Sequence, residues 1–260
     1  MRVSEILRLT SILYNNMKQY FSILLVLLIS FSLVAAPPKR TKRGRTTHTT
    51  AVKKTSPKLN VVADTVDLGL GVYWASWNSG ASKPEMLGAE FAWGATTPNP
   101  ESNKQNYRHY NPECYAYTKY FWYGEDENDI SQHILDSKNN VLLDSVDDAA
   151  ITHWGNGWRM PTYEEFKELN KKCRWEWVED SENNIFGFKV TGPNGNHIFF
   201  PGKDIGDVNY WTSSGIWKKY NGRDEGNDDA WGLIMNHFNA FLIEHYRYAS
   251  LYIRPVKEKK

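Results

Sequence analysis

The run Trp154-Gly-Asn-Gly-Trp-Arg-Met-Pro-Thr162 restricts the fold more than any other stretch, because it closes one helix and opens the next. Thr162 and Glu165 have T-x-x-E spacing, which lets each side chain take the other's free backbone N–H at a helix start. Pro161 precedes that cap, where it can pack on Phe166 as a hydrophobic staple. Phe166, Leu169 and Cys173 then recur at i, i+3 and i+7 as a core-facing stripe, and Arg174 to Val178 alternates like a strand. Upstream, Ser145 to Trp154 is the expected first helix. Ser145-x-x-Asp148 would be its capping box, Asp147 would face its positive start, and Gly155 would follow its end. Val146, Ala149, Ala150, His153 and Trp154 fall on one face of it, which reads His153 as a core histidine rather than a ligand. The clustered tryptophans make this unit the expected folding nucleus, with Trp158 buried. Arg159 should be held by a carboxylate or by carbonyls, Asp147 and Asp148 being the first candidates.

Around this unit the chain reads as β. Val66 to Ala75 is a strand broken by Gly69 and Gly71; the third glycine and following helix of a dinucleotide site are missing, so the G-x-G is turn chemistry. Phe91-Ala-Trp93 is a short buried piece between loops. Phe186, Phe188 and Val190 alternate, Gly192-Pro-Asn-Gly195 turns, and Ile198 and Phe200 return, which predicts a hairpin. Tyr210 to Ser214 is a further strand. Trp231 to Met235 and Leu251 to Val256 are expected to pair as late strands, with Pro255 confined to an end or edge. From Tyr107 to Tyr123 the chain is dense in aromatic rings, most of them read as pins that fix a long loop to the core.

Charge divides the chain in two. Of 31 Lys+Arg and 30 Asp+Glu, 11 and 1 fall in residues 1–63, leaving 20 and 29 for residues 64–260. The acidic part offers no basic face to displace counterions from phosphates, which argues against nucleic acid as a partner. Residues 1–36 read as an export signal starting at Met17, because Tyr20 to Ala36 carries no charge and ends in small residues. A membrane anchor is the alternative, since 17 uncharged residues approach spanning length. Residues 37–63 follow as a basic, low-complexity linker too polar to offset its ordering entropy. The folded domain spans 64–257, and membrane contact is expected only through an uncleaved N-terminal segment.

Two cysteines, Cys114 and Cys173, permit a disulfide in an exported protein, or can remain two buried thiols. No H-E-x-x-H, His/Cys zinc spacing or nucleophile–base set is present, so no cofactor is expected and a catalytic role is disfavoured. His237 and His245, eight apart, are too weak a signal for a metal.

Trp154-Gly-Asn-Gly-Trp-Arg-Met-Pro-Thr162 resembles the signature of the Fibrobacter succinogenes major paralogous domain family of exported proteins. Val66-Asp-Leu-Gly-Leu70, Phe91-Ala-Trp93-Gly94, Asp147-Asp-Ala-Ala150, Val190-Thr-Gly-Pro-Asn-Gly195, Tyr210-Trp-Thr-Ser-Ser214 and Ile253-Arg-Pro-Val256 match in the same order. The resemblance implies an α+β, C-type-lectin-like fold: two helices packed beside a small irregular antiparallel sheet, with long loops and both chain ends together. Such a scaffold does not itself define a chemistry. Calcium-dependent lectins use Glu-Pro-Asn and Trp-Asn-Asp, and neither tripeptide occurs here. The nearest oxygen-rich run, Asp224, Glu225, Asn227, Asp228 and Asp229, reads as a solvated loop rather than a Ca²⁺ site. The fold places ligands against loops near the final strands. Trp217, Tyr220, Arg223, Asn236, His237, Asn239 and Tyr246 there combine flat rings with directed polar groups. The expected function is therefore an exported, non-catalytic module of the periplasm, cell surface or secretome that binds a glycan or a surface protein. An enzyme using the same loops and an envelope component without a small ligand are the alternatives.

Overall fold

The computed structural model describes residues 59–120, 140–155, 157–216 and 228–259; residues 1–36, read as an export signal, and most of the segment read as a linker lie outside them. The described chain is α+β, with two α-helices beside several small antiparallel sheets. In chain order the elements begin with β1 (Thr65–Asp67), β2 (Val72–Ala75), β3 (Tyr110–Asn111), β4 (Ala116–Tyr117) and β5 (Val141–Leu142). The helical unit follows as α1 (Ala149–Trp154), β6 (Trp158–Arg159) and α2 (Tyr163–Lys172). The rest is strand: β7 (Arg174–Asp180), β8 (Ile185–Thr191), β9 (His197–Pro201), β10 (Val208–Gly215), β11 (Asp229–Met235), β12 (Ala240–Tyr246) and β13 (Val256–Glu258). They form sheets of order β1-β2-β13-β6, β12-β11-β10-β5, β7-β8-β9 and β3-β4.

The glycine break near residue 70 is a hairpin turn. Thr65 lies opposite Ala75, Gly69 has φ +76°, and its N–H donates to Asp67 Oδ1 at 2.8 Å. The β8–β9 turn rests on this one, where Asn194 and Asn196 both donate to the Asp67 carbonyl at 2.8 Å. A Cβ on Gly192 would meet the Leu68 carbonyl oxygen at 2.1 Å, so only glycine permits that approach. Two distant turn motifs are thereby locked together.

The second helix starts as expected. Thr162 Oγ1 accepts the Glu165 N–H and Glu165 Oε2 accepts the Thr162 N–H, a closed capping box. Phe166 and Leu169 are fully buried, in a core shared with Trp74, Phe200, Tyr210 and Leu233. Trp175 and Trp177 pack against the same core from β7. Leu59 and Ala63, in the segment read as linker, pack on the domain as well. The Leu59 carbonyl accepts the Trp154 indole N–H at 2.9 Å.

The first helix is shorter than expected. Its N-cap is Asp148, which accepts N–H groups from Ala150 (2.8 Å), Ile151 (3.0 Å) and Met160 (2.8 Å). The third bond ties the helix start to the end of β6, so Ser145–Asp147 forms a separate 3₁₀ turn. That turn sends Val146 to solvent, 67% exposed, and buries Asp147. His153 is half-buried, with Nε2 2.6 Å from the Thr96 carbonyl.

Arg159 is held by carboxylates, but not the expected ones. Its guanidinium meets Glu165 at 2.8 and 2.5 Å and also Glu258. Asp148 is occupied by backbone donors, and Asp147 by Lys119, Tyr120 and Arg108. The late strands also pair differently. β11 lies between β10 and β12, whereas Leu251 bridges Phe91, Tyr252 bridges Tyr210 in parallel, and Val256 enters β13 between β2 and β6. Residues 236–239 close β11 and β12 into a local hairpin, and a short loop costs less closure entropy than a remote partner. Two indoles fix the 91–93 segment on β10: Trp211 Nε1 donates to the Phe91 carbonyl (2.8 Å), and Trp93 Nε1 to the Thr212 carbonyl (3.0 Å). Cys114 and Cys173 are both free. Cys173 caps α2 against the main core, while Cys114 is exposed beside the β3–β4 turn.

Candidate functional site

The seven residues expected to line a ligand surface do not gather in one place. Trp217, Tyr220 and Arg223 lie outside the described residues. Asn236, His237 and Asn239 sit in the β11–β12 turn. Asn236 Oδ1 accepts the Phe238 and Asn239 N–H groups, and its Nδ2 donates to Asp207 Oδ1. That side chain is committed to shaping the turn. The His237 ring lies 3.5 Å from Phe238 and 6.1 Å from Trp177, centroid to centroid. Tyr246 ends β12 at the opposite end, roughly 20 Å away for a strand of this length. His245 is held apart from His237, edge-on to Trp211 at 5.8 Å, and burial lowers its pKa. A Cβ on Gly232 would come within 2.7 Å of that imidazole, so glycine makes room for it.

Tyr246 does meet the aromatic loop. It is 56% exposed and stacks on Tyr248 with ring centroids 5.1 Å apart and planes 7° from parallel. Tyr248 packs against a satellite core containing Tyr107 and Tyr117, beside half-buried Tyr110. Tyr110 faces Tyr117 across β3–β4, edge to face at 5.4 Å. Lys104 completes the surface. Its ammonium lies 5.2 Å from the Tyr110 ring centre, 5.4 Å from that of Tyr117, and 3.1 Å from Asp228 Oδ2. The 3₁₀ turn Lys104–Asn106 carries it, capped reciprocally by Asn103 and Asn106. The result is a tyrosine shelf with an ammonium–carboxylate pair at its side.

Buried charge supports the shelf from beneath. Arg247 is only 1% exposed, and its guanidinium lies 4.3 Å from the Tyr117 ring centre and 5.7 Å from that of Trp93. Its Nη1 donates to the carbonyls of Tyr120 (2.8 Å) and Lys119 (3.3 Å), which holds the aromatic loop in place. Burial lowers the Arg247 pKa, while Tyr107, Tyr117 and the two aspartates of residues 228 and 229 act against that shift. Desolvation, with the Asp228 charge second, raises the Tyr117 phenol far above its usual range, so it stays protonated.

A second anchor is Asp147. Lys119 Nζ approaches it at 2.6 Å, the Tyr120 hydroxyl at 2.7 Å and Arg108 Nη2 at 3.2 Å. Burial opposes its ionisation, but the Lys119 and Tyr120 hydrogen bonds and the nearby cations outweigh that and lower its pKa. Burial lowers the pKa of neighbouring His109; its Nε2 must carry the proton, because the Gly94 carbonyl 3.2 Å away can only accept. A depressed carboxylate stabilises the fold above its unfolded pKa, and that share is lost as pH falls through the folded value. Wild-type stability should therefore drop below about pH 4, near the unfolded Asp value. Urea melts of Asp147→Asn should lack this part of the acid slope; equal slopes for both proteins would refute the assignment.

Of the described late-loop residues expected at a ligand surface, Tyr246 alone meets the aromatic loop. Tyr248 and Lys104 were not expected there. The only sequence signal for Tyr248 is its spacing, two residues beyond Tyr246, and nothing marks Lys104. Tyr107, Tyr117 and Tyr120 are buried pins, as read, while Tyr115 is 82% exposed. Among the described residues no group of three or more His, Cys, Asp or Glu could hold a metal. Of the acidic run, Asp224, Glu225 and Asn227 lie outside the described residues, and Asp228 is paired with Lys104. What the shelf offers is a flat aromatic face with one cation and one anion beside it, groups suited to holding a ligand. Comparison of the chain with protein-family models, curated proteins and solved structures finds no match.

Proposed function

We propose that the protein is an exported, non-catalytic binding module that recognises a glycan through the Tyr246–Tyr248 shelf. The observation that carries this reading is an exposed tyrosine held flat by stacking on a second one, with Lys104 and Asp228 alongside. A ring in that position meets the apolar face of a sugar, while the ammonium and carboxylate direct hydrogen bonds to hydroxyls. Holding the ring in advance lowers the ordering entropy lost on binding. The reading includes a C-type-lectin-like fold of the Fibrobacter succinogenes major paralogous type. It is supported by β1 and β13 flanking β2 in one sheet, which puts the two ends of the domain side by side. A surface protein is the second reading, favoured by Phe238 and Phe241, 74% and 45% exposed at the far end of the β11–β12 hairpin.

A glycan array, run with and without Ca²⁺, tests the first reading. A glycan hit should lose about tenfold or more in affinity on Tyr246→Ala, the scale of a central aromatic contact. Unchanged affinity in Tyr246→Ala and Tyr248→Ala would move the site elsewhere. Capture of a surface protein that Phe238→Ser abolishes, with no glycan hit, would favour the second.

A further inference from the structure

The three-stranded β7-β8-β9 sheet gives one face to the main core through Phe188, Val190, Ile198 and Phe200. On its other side lies a groove of about 360 Å³, reached by Pro84 and Glu85 of a preceding loop. That volume is at the lower end for small-molecule sites. Phe199 forms its floor. A Cβ on Gly187 would lie 2.7 Å from Phe199 Cζ, so the ring lies over the bare glycine of the neighbouring strand. Val178, Ile185 and Pro84 give the walls their apolar character.

The polar groups are few and of uneven sign. Lys189, cross-strand from Phe199, has no carboxylate partner among the described residues. Glu176, opposite it on β7, is taken by Arg174 at 3.1 Å, and Glu85 lies 3.9 Å from Lys83. His197 lines the same groove. So does Ser76, whose buried hydroxyl has no hydrogen-bond partner among the described residues. An uncommitted ammonium beside an apolar floor is complementary to a ligand with a flat apolar body and one negative end.

We propose that this groove binds a small aromatic carboxylate, its ring on Phe199 between Val178, Ile185 and Pro84, and its carboxylate on Lys189. His197 lines the groove as a further donor. This site is independent of the tyrosine shelf and of what the shelf binds.

Calorimetric titration of the full chain with 2-naphthoate should give saturable one-site binding, about tenfold tighter than 2-naphthylmethylammonium, the factor expected of one charge-assisted contact. Lys189→Met keeps the stem and removes the charge, so it should weaken 2-naphthoate about tenfold. Lys189→Glu should reverse the preference toward the cation. Phe199→Leu keeps an apolar floor without a ring face and should also weaken binding, which provides a second test if a Lys189 variant melts early. Absence of saturable binding, equal affinity for the two probes, or full affinity in Lys189→Met or Phe199→Leu would overturn the proposal.

Discussion

Arg254→Ala is expected to lower the unfolding free energy by about 4 kcal/mol, because it strands several buried acceptors at once. Arg254 is fully buried. Its Nε donates to Asn78 Oδ1 (2.6 Å), Nη1 to the Ala75 carbonyl (3.0 Å) and Nη2 to the Phe199 carbonyl (2.7 Å). The guanidinium also lies 4.5 Å from the Phe200 ring centre. Asn78 passes the connection on, donating to the Leu87 carbonyl at 2.8 Å. One side chain therefore joins β2, β9, the 78–87 loop and the C-terminal segment. Burial pulls its pKa down to about 10, which leaves it charged at neutral pH. Alanine would leave three acceptors without their donor, and a cavity beside Phe200. Arg254→Lys should recover only part of the loss, since an ammonium cannot span the three directions of the fork. Urea denaturation gives the free energy, and the melting temperature should fall by roughly 8–16 °C for a domain of this size. A loss below about 1 kcal/mol, as for a surface substitution, would mean that Arg254 does not organise these segments.

Trp158→Ala is expected to cost about 3–5 kcal/mol, the range for removing a large buried ring. Trp158 is 3% exposed and meets Trp154 edge to face at 5.2 Å, in a cluster with Ala63 and Ala75. It lies in β6, whose neighbour Arg159 is clasped by Glu165 of α2 and Glu258 of β13. Losing the ring should therefore loosen the contact between the helical unit and the sheet that joins both ends of the domain. Trp158→Phe should restore part of the stability, because it refills most of the space with another ring. A change under about 1 kcal/mol would place the folding nucleus outside the 154–162 stretch.

Local chemistry decided what the sequence could disclose. The Thr162–Glu165 box, the Phe166 and Leu169 stripe, the β7 alternation and the β8–β9 hairpin were all legible. Each arises from residues only a few positions apart, whose backbone preferences and periodicity act without distant help. Trp158 could be read as buried for the same reason, as a large ring in a two-glycine turn between apolar helix faces. The partner of Arg159 could not. Five carboxylates lie within twelve residues of Arg159, at Asp147, Asp148, Glu164, Glu165 and Glu168, and the choice depended on Asp148 being taken by the Met160 N–H and Asp147 by Lys119 and Arg108. The start of α1 failed on the same point, because a long-range bond to Asp148 outcompeted the local Ser145 signal.

The candidate site divides along the same line. Tyr246 was singled out by the resemblance, which implies a ligand against the late loops, and the rings from Tyr107 onward as a separate aromatic-dense stretch read mostly as pins. That the two groups meet was settled by the fold: β3–β4 packs against the exit from β12, and Tyr248 bridges them. The spread of Asn236, His237 and Asn239 away from Tyr246 was settled by the β11–β12 hairpin, which sends its turn and its strand end in opposite directions. Sequence determined the α+β class and the elements that local hydrogen bonds and periodicity can specify. Tertiary structure decided strand order, the partners of buried charges and which exposed rings share a face, because those depend on competition among groups far apart in the chain.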